Sequence, residues 1–334
     1  MTIGVAVAGA GSWGRHLVRV FNQLGALRWI CDADEARLEE MGSRFPEARR
    51  GRDLETALND EGVRAVAIAA PSATHAVLAE RALRAGRDVF VEKPLALSYA
   101  DGARIVMEAG RRGAVLMVGH VLQYHPAVER LGDMIAEGEL GEVLYLYSTR
   151  LNLGRVRQEE NILWSFAPHD ISVMLMLLGG MPRGVGVFGG AYLQHRVADL
   201  TVSTYFFPGG ILGHVFVSWL HPFKEQRLVV VGSRKMAVFE DTAADKLRIY
   251  DKGIEWVEGR PVPREQAAVS VPLPPVEPLE AECAHFLHCV RERATPRTDG
   301  QEGLRVLRVL EASQRSLDLG RVVQIGGEES GSDG

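Results

Sequence analysis

The chain has 334 residues, 46% of them hydrophobic, and carries a formal charge of −5. That length suits two domains better than one core. The mild acidic excess excludes the clustered basic surface that a nucleic-acid partner needs. No apolar run approaches the ~20 residues of a membrane-spanning helix, so no membrane partner is expected. The first residues enter a strand at once, with no basic leader ahead of it.

From residue 3 to about 120 the pattern alternates. Apolar, β-branched runs read as strands at 3–8, 27–30, 64–70, 88–91 and 115–118. Helical patterns rich in Ala, Leu, Glu and Arg lie between them, at 13–24, 35–44, 74–85 and 99–110. Such alternation specifies parallel βαβ units. The handedness of their crossovers gives one α/β, doubly wound Rossmann sheet with helices on both faces. Residues 1–120 are thus expected to bind a dinucleotide.

The character changes after about residue 140. Strand-like runs at 143–149, 184–193, 201–207, 212–219, 228–231, 236–240 and 247–250 follow one another across turns such as Pro208-Gly209-Gly210. One helical run, 169–178, interrupts them. Residues 121–325 therefore read as an α+β domain with a mostly antiparallel open sheet, serving substrate binding and oligomerisation. A proline-dotted linker covers 261–278, and helices at 279–293 and 303–319 are expected to pack back on the first domain. The tail 326–334 is glycine, serine and acid, and is expected to be disordered.

The three cysteines are Cys31, Cys283 and Cys289, with no Cys-x-x-Cys pair. An odd count argues against a disulfide framework and for a cytoplasmic location. Cys283 and Cys289 share a helix with His285 and His288; small thiols on an apolar helix face account for them, and no metal is assigned.

Gly9-Ala10-Gly11-Ser12-Trp13-Gly14 follows the first strand and opens the first helix. Gly9 makes the tight turn, Gly11 lets backbone amides approach a pyrophosphate, and Gly14 permits close helix–strand packing. The helix N-terminus adds partial positive charge, with Ser12 beside it. Trp13 is expected to pack on its own helix. Asp32 ends the second strand, where a carboxylate accepts from the adenosine ribose and repels a 2′-phosphate, so NAD is expected over NADP. Arg37 is expected on the exposed face of the second helix.

Glu92-Lys93-Pro94 closes a later strand of the same sheet. Proline lacks an amide hydrogen and ends the pairing, which holds Lys93 at the carboxyl edge. An ammonium there stabilises a developing alkoxide. Alone, Lys-Pro is a strand terminus; beside the glycine turn it reads as a site. His120, Tyr124 and His125 follow the fifth strand and are expected to face substrate, a polar crossover loop being the equal alternative. Arg155 and Arg157, in the loop 151–161, either fork onto a diphosphate or carboxylate or remain solvated.

These motifs, with Ala70-Pro71-Ser72-Ala73-Thr74-His75 and the antiparallel C-terminal half, resemble the glucose–fructose oxidoreductase, inositol dehydrogenase and MocA (Gfo/Idh/MocA) family over nearly the whole chain. The resemblance implies NAD(P)-dependent oxidoreduction of sugar and cyclitol hydroxyls. It adds Ala70, Pro71, Thr74, His75, Glu92 and Lys93 to the cofactor set and makes Lys93 catalytic. It also implies a catalytic histidine at a helix start, matched by His169 in Trp164-Ser165-Phe166-Ala167-Pro168-His169-Asp170, with Asp170 toward substrate. A capping arrangement is the alternative reading of a His-Asp pair at a helix start, with Asp170 favourable to the helix dipole. Many members carry aspartate where Ser165 stands, so a Lys93–His169 pair is expected rather than a triad, His169 taking the hydroxyl proton.

Residues 11–27, 162–178, 221–242 and 298–317 resemble the branch acting on UDP-N-acetylhexosamines. That implies oxidation of the sugar 3-hydroxyl to a ketone, which a pyridoxal-phosphate aminotransferase then converts on the way to lipid A or another surface glycan. UDP-N-acetylglucosamine is preferred to its uronate, since no arginine is assigned to a sugar carboxylate. Still open are a dehydrogenase of free sugars or inositol, a lyase or glycosidase using transient oxidation, and a non-catalytic NAD sensor. Keeping both Lys93 and His169 argues against the sensor. In the family the open sheet packs on a partner subunit, so the alternating apolar strands from 184 to 219 imply a homodimer or homotetramer.

Overall fold

Runs of Val, Ala and Ile with no polar interruption set the first sheet, because strands buried on both faces carry apolar residues on both. The computed structural model describes residues 3–326 apart from Arg155, Gln158, Glu159 and Glu265. Two units divide the chain: Met1–Tyr124 with Val276–Leu307, and His125–Pro275 with Arg308–Gly334.

In the first unit the order is β1 (Gly4–Ala8), α1 (Gly14–Gln23), β2 (Leu27–Cys31), α2 (Glu35–Arg44), β3 (Arg49–Gly51), α3 (Leu54–Leu58) and β4 (Val63–Ile68), then α4 (His75–Arg84), β5 (Asp88–Glu92), α5 (Tyr99–Arg112) and β6 (Leu116–Gly119). The described strands pair all-parallel in the order β3-β2-β1-β4-β5-β6. Growth reverses direction between β1 and β4, which opens a crevice at their carboxyl ends. Local chemistry marks the helices: Asp34 caps α2 by accepting from the Ala36 and Arg37 amides, and Ser98 caps α5. The short β3 and α3 were not legible in the pattern. The strand expected at 64–70 stops at Ile68, which frees Ala69 to Pro71 as loop.

The second unit runs α6 (Pro126–Ala136), β7 (Val143–Leu151), α7 (Ile162–Leu178), β8 (Gly184–Gly190), β9 (Leu200–Phe206), β10 (Leu212–Ser218), β11 (Glu225–Gly232), β12 (Met236–Glu240), β13 (Leu247–Tyr250), β14 (Gly253–Val257), β15 (Arg260–Arg264) and β16 (Val269–Ser270). Then α8 (Pro278–Glu292) returns to the first unit, α9 (Gly300–Leu319) begins there, and β17 (Val323–Gln324) closes the described chain. The large sheet has the order β16-β13-β12-β11-β7-β10-β9-β8-β17; β7 and β10 pair in parallel and the other neighbours antiparallel. Side chains alternate along it: Thr201, Ser203 and Tyr205 are buried, while Val202 and Phe206 face outward. The inner face packs on α7, where a Cβ at Gly213 would stand 3.1 Å from the Met174 sulfur.

Three expectations are corrected. Helix α6 was missed; it opens with Pro126 at its first turn and His125 as its cap. Helix α7 starts at Ile162, capped by Asn161, so His169 lies mid-helix and is no helix start. Pro168 inside it removes one backbone hydrogen bond, which disguised its first two turns. The supposed linker 261–278 begins with the hairpin strand β15, paired with β14, and adds β16 to the sheet edge. The tail beyond Gly326 lies outside the described residues. Among them no helix is long and apolar enough to cross a membrane.

Candidate cofactor and active site

The glycine turn leaves β1 with Gly9 at φ 94°, in the left-handed region that favours glycine, and a Cβ there would stand 2.6 Å from the Ala70 nitrogen. At Gly14 a Cβ would fall 1.9 Å from the Gly9 carbonyl oxygen, so both positions are fixed by the protein's own packing. Gly11 differs. Nothing stands closer to its would-be Cβ than Arg37 Nη1 at 3.9 Å, which leaves open space over the backbone. Trp13 at the N-cap of α1 offers no capping side chain, and the first turn holds no acid. A helix start with its dipole uncompensated suits an anion, so these residues fit a pyrophosphate.

Asp32 is already oriented. Its Oδ2 accepts from the Ala10 amide at 2.7 Å and its Oδ1 from the Asp34 amide at 2.9 Å. Arg37 is exposed on α2, as expected, and its guanidinium reaches back toward Asp32. Its Nη1 lies 3.6 Å from Asp32 Oδ1, at the edge of the glycine turn.

The turn is also tied to the chemical strand. Trp13 Nε1 donates to Glu92 Oε1, so the indole does more than pack on its helix, although its ring still meets His16 at 5.6 Å. At the end of β4, Ala70 and Pro71 form the loop, and the Thr74 hydroxyl donates to the Pro71 carbonyl at 2.7 Å. His75 is buried, with Nδ1 2.8 Å from the Pro94 carbonyl and Nε2 2.9 Å from the Ala70 carbonyl. It therefore bridges the two loops that flank the crevice. Lys93 follows β5 directly, half-buried, ahead of a cis bond to Pro94.

Burial pushes the Glu92 carboxyl up to about 7, against the opposing pull of the Trp13 hydrogen bond and the Lys93 charge. His120, fully enclosed, is pushed down to about 3, by burial first and by the Lys93 ammonium second. Its imidazole is neutral at ordinary pH. His120 Nε2 lies 3.3 Å from Glu302 Oε2, and Gln123 donates to Glu302 Oε1 at 2.7 Å. The first unit thus gathers Trp13, Glu92, Lys93 and His120.

Several expected substrate contacts are engaged in the fold instead. Tyr124 is buried, its hydroxyl 3.2 Å from Thr298 Oγ1 and its ring under the Arg297 guanidinium at 4.7 Å. Burial raises its phenol above the usual range. His125 accepts from the Ala127 amide at 3.1 Å and sets Nε2 3.6 Å from Asp241, whose carboxyl this contact holds well below the usual range. Asp170 is buried, accepting from Arg150 Nε at 3.0 Å and Nη2 at 3.2 Å and from Ser148 Oγ at 2.6 Å. His120, being enclosed, offers no open face for a sugar. In the structure these four side chains are engaged within the fold.

Helix α7 carries His169 half-buried, one turn after Ser165 and on the same stripe. Arg157 is exposed and pairs with Glu160 at 2.8 Å. Arg155 lies outside the described residues. Sequence reasoning missed Glu302 and Arg150, each defined by a partner on another element, and Glu282, completely buried on α8; no short motif announces any of them.

Residues 3–120 match the family model described as "Oxidoreductase family, NAD-binding Rossmann fold", and residues 128–238 match the model of the GFO/IDH/MocA C-terminal domain. UDP-N-acetylglucosamine 3-dehydrogenase of Acidithiobacillus ferrooxidans is 27% identical over 309 residues, 90% of this chain and 93% of that one. The 2,7-anhydro-N-acetylneuraminate hydratase of Mediterraneibacter gnavus is 30% identical over 200 residues; the match spans 57% of this chain and about half, 53%, of that relative. Among solved structures, an enzyme from gentamicin A biosynthesis in complex with NAD superposes with a TM-score of 0.83 at 26% identity, covering 98% of this chain and 97% of the other.

Proposed function

Because the chain belongs to the Gfo/Idh/MocA family of NAD-dependent oxidoreductases, we propose that it oxidises the 3-hydroxyl of a UDP-N-acetylhexosamine, UDP-N-acetylglucosamine first, to the 3-keto sugar. The observation that carries this reading is the 27% identity to a UDP-N-acetylglucosamine 3-dehydrogenase along 93% of that enzyme.

The turn that Gly9 and Gly14 shape would hold the pyrophosphate at Gly11 and Ser12, Asp32 would hold the adenosine ribose, and the loop from Ala70 to His75 would flank the cofactor. NAD supplies the hydride acceptor. The chain's own residues do the rest: Lys93 lowers the energy of the forming alkoxide with its ammonium, and His169 takes the hydroxyl proton. Ser165, in place of a carboxylate, leaves His169 without a charged neighbour one turn back on α7. The ketone product is chemistry that a pyridoxal-phosphate aminotransferase consumes, and we propose that the reaction feeds surface-glycan or lipid A synthesis in the cytoplasm.

The outward face of the large sheet presents Tyr145, Phe188, Val202 and Phe206 to solvent. An apolar face of that extent is best explained by a second copy of the chain. A single-chain mass by light scattering refutes it.

A second reading is favoured by the hydratase relative: transient oxidation with no net NADH. Mass spectrometry of the purified protein with NAD, 2-oxoglutarate and UDP-N-acetylglucosamine, and with the uronate in parallel, separates the outcomes. Loss of two hydrogens from one sugar nucleotide is expected. Unchanged sugar nucleotides refute the substrate assignment and direct the assay to free sugars and anhydro-sugars. Lys93→Met and His169→Asn should then abolish turnover while NADH binding persists; full turnover in either removes that residue from the mechanism.

A further inference from the structure

Helix α8 crosses under β5 as a three-step ladder. At the first step Arg293, just past the helix end, pairs with Asp88 at 2.7 Å. At the second, the Phe286 ring meets Phe90 at 5.7 Å. Residues 88, 90 and 92 share one face of the strand, and 282 lies one turn from 286 on the same helix stripe. Beyond the Phe286–Phe90 contact two strand residues advance about 6.6 Å and four helical residues about 6 Å, which brings Glu282 near enough for the Glu92 charge to act on it. Both are buried, Glu282 completely.

Neither oxygen of Glu282 has a hydrogen-bond partner among the described residues. A carboxylate ion cannot be held in a dry site that way. A protonated carboxyl can, provided that its hydroxyl finds an acceptor. Glu92 offers one: its Oε1 accepts from Trp13, and its Oε2 lies against Gly119, where a Cβ would stand 2.9 Å away.

We propose that Glu92 and Glu282 share a proton, and that this carboxyl pair positions two residues of the cofactor edge, Trp13 of the glycine turn and Lys93. The other titratable group near the pair is Cys283, whose thiol burial raises; His120, which burial holds neutral, faces Lys93. Lys93 is thus the cation at the pair, and Trp13 the neutral donor. Burial raises both carboxyls, Glu282 well above its ordinary range, so one proton remains on the pair where solvent-exposed glutamates have lost theirs. Ionised Glu92 grips the Trp13 N–H more tightly than neutral Glu92 does.

The test uses the cofactor-free protein, so it stands apart from the choice of sugar. The chain has 5 tryptophans; their indole N–H signals are followed by NMR from about pH 5 to 9, Trp13 being assigned through Trp13→Phe. The Trp13 signal is expected to titrate with a midpoint near 7. Glu92→Gln should keep the signal and flatten the titration. Glu282→Gln keeps a donor toward Glu92 and should leave the midpoint near the wild-type value. Glu282→Met matches the length without a donor and should raise the midpoint by about one unit, a tenfold change in the ionised fraction below it. NADH affinity should bend at the same midpoint in the wild type and lose that bend in Glu92→Gln. A wild-type Trp13 signal flat across the range, equal midpoints in the two Glu282 variants, or an NADH profile unaltered by Glu92→Gln overturns the proposal. Should Glu282→Met fail to fold, carbon-13 carboxyl spectra decide: the two signals lost in Glu92→Gln and Glu282→Gln must include one still protonated at about pH 6.5, and two ionised signals overturn it.

Discussion

Asp170→Ala asks whether the carboxylate beside His169 serves the fold or the chemistry. Asp170 is 4% exposed and accepts three hydrogen bonds, two from Arg150 and one from Ser148. Truncation strands the Arg150 guanidinium, whose side chain is 12% exposed. Breaking a buried pair from one side costs about 3–5 kcal/mol. Gln226, turned with its amide oxygen 3.3 Å from Arg150 Nη1, still faces the cation, so the lower end, about 3 kcal/mol, is expected. For a unit of this size that lowers the thermal midpoint by about 6–12 °C.

Urea unfolding followed by circular dichroism reads the loss, with Arg150→Ala as the matching deletion. The two single losses should not add, because either one ends the same pair. Arg150→Met with Asp170→Leu should recover much of the stability, since an apolar pair of similar volume has no charge to desolvate. A loss below about 1 kcal/mol in Asp170→Ala, accompanied by weaker sugar binding, refutes the reasoning and returns Asp170 to the substrate.

Gly14→Ala places a methyl 1.9 Å from the Gly9 carbonyl, so NADH binding by fluorescence should fall by about 100-fold or more, close helix–strand packing being what the turn needs; near-normal affinity contradicts it. Asp32→Ser removes the carboxylate that repels a 2′-phosphate and leaves Arg37 at the turn, so the NADH-to-NADPH affinity ratio should fall by about tenfold; an unchanged ratio excludes Asp32 from cofactor choice. Glu92 has its carboxyl raised from 4.5 to about 7, so the folded state holds the proton that the unfolded state releases. Its stability contribution is complete below about 4.5 and is lost as pH rises to about 7, by about 3 kcal/mol. Glu92→Gln should therefore gain stability over wild type at pH 8 but not at pH 4.5 in urea unfolding; parallel pH profiles refute it.

The repeating strand–helix pattern and the glycine turn were legible because each is written within a few adjacent residues. So was the second sheet, whose alternation survives at Thr201 to Phe206. Less legible were the partners of polar residues at element ends. Tyr124, His125 and Asp170 look chemical in one dimension because the groups that satisfy them are far along the chain. Thr298 is 174 residues from Tyr124, and Arg150 is 20 residues from Asp170 on another element. Pro126 and Pro168 misled differently. Proline signals a break on average, yet it is at home in a first turn, and at Pro168 the packing of α7 outweighs one missing hydrogen bond.

The motifs that seemed separate along the sequence explain one another in the first unit. The glycine turn reaches β2 through Ala10 and Asp32, and β5 through Trp13 and Glu92. The loop after β4 reaches the Lys93–Pro94 turn through His75. Each bond is worth about 1 kcal/mol net, or about 1.5–3 where a charge takes part, which is modest for stability. Its larger consequence is geometric. Lys93 has four carbons of free rotation beyond its backbone, and an ammonium helps an alkoxide only if its strand end does not wander. His75 fixes the carbonyl next to Lys93, and Glu92 fixes the residue before it. The histidine of the Ala70–His75 motif lies between two carbonyls, of Pro94 and Ala70, and so ties the Lys93–Pro94 turn to the loop after β4.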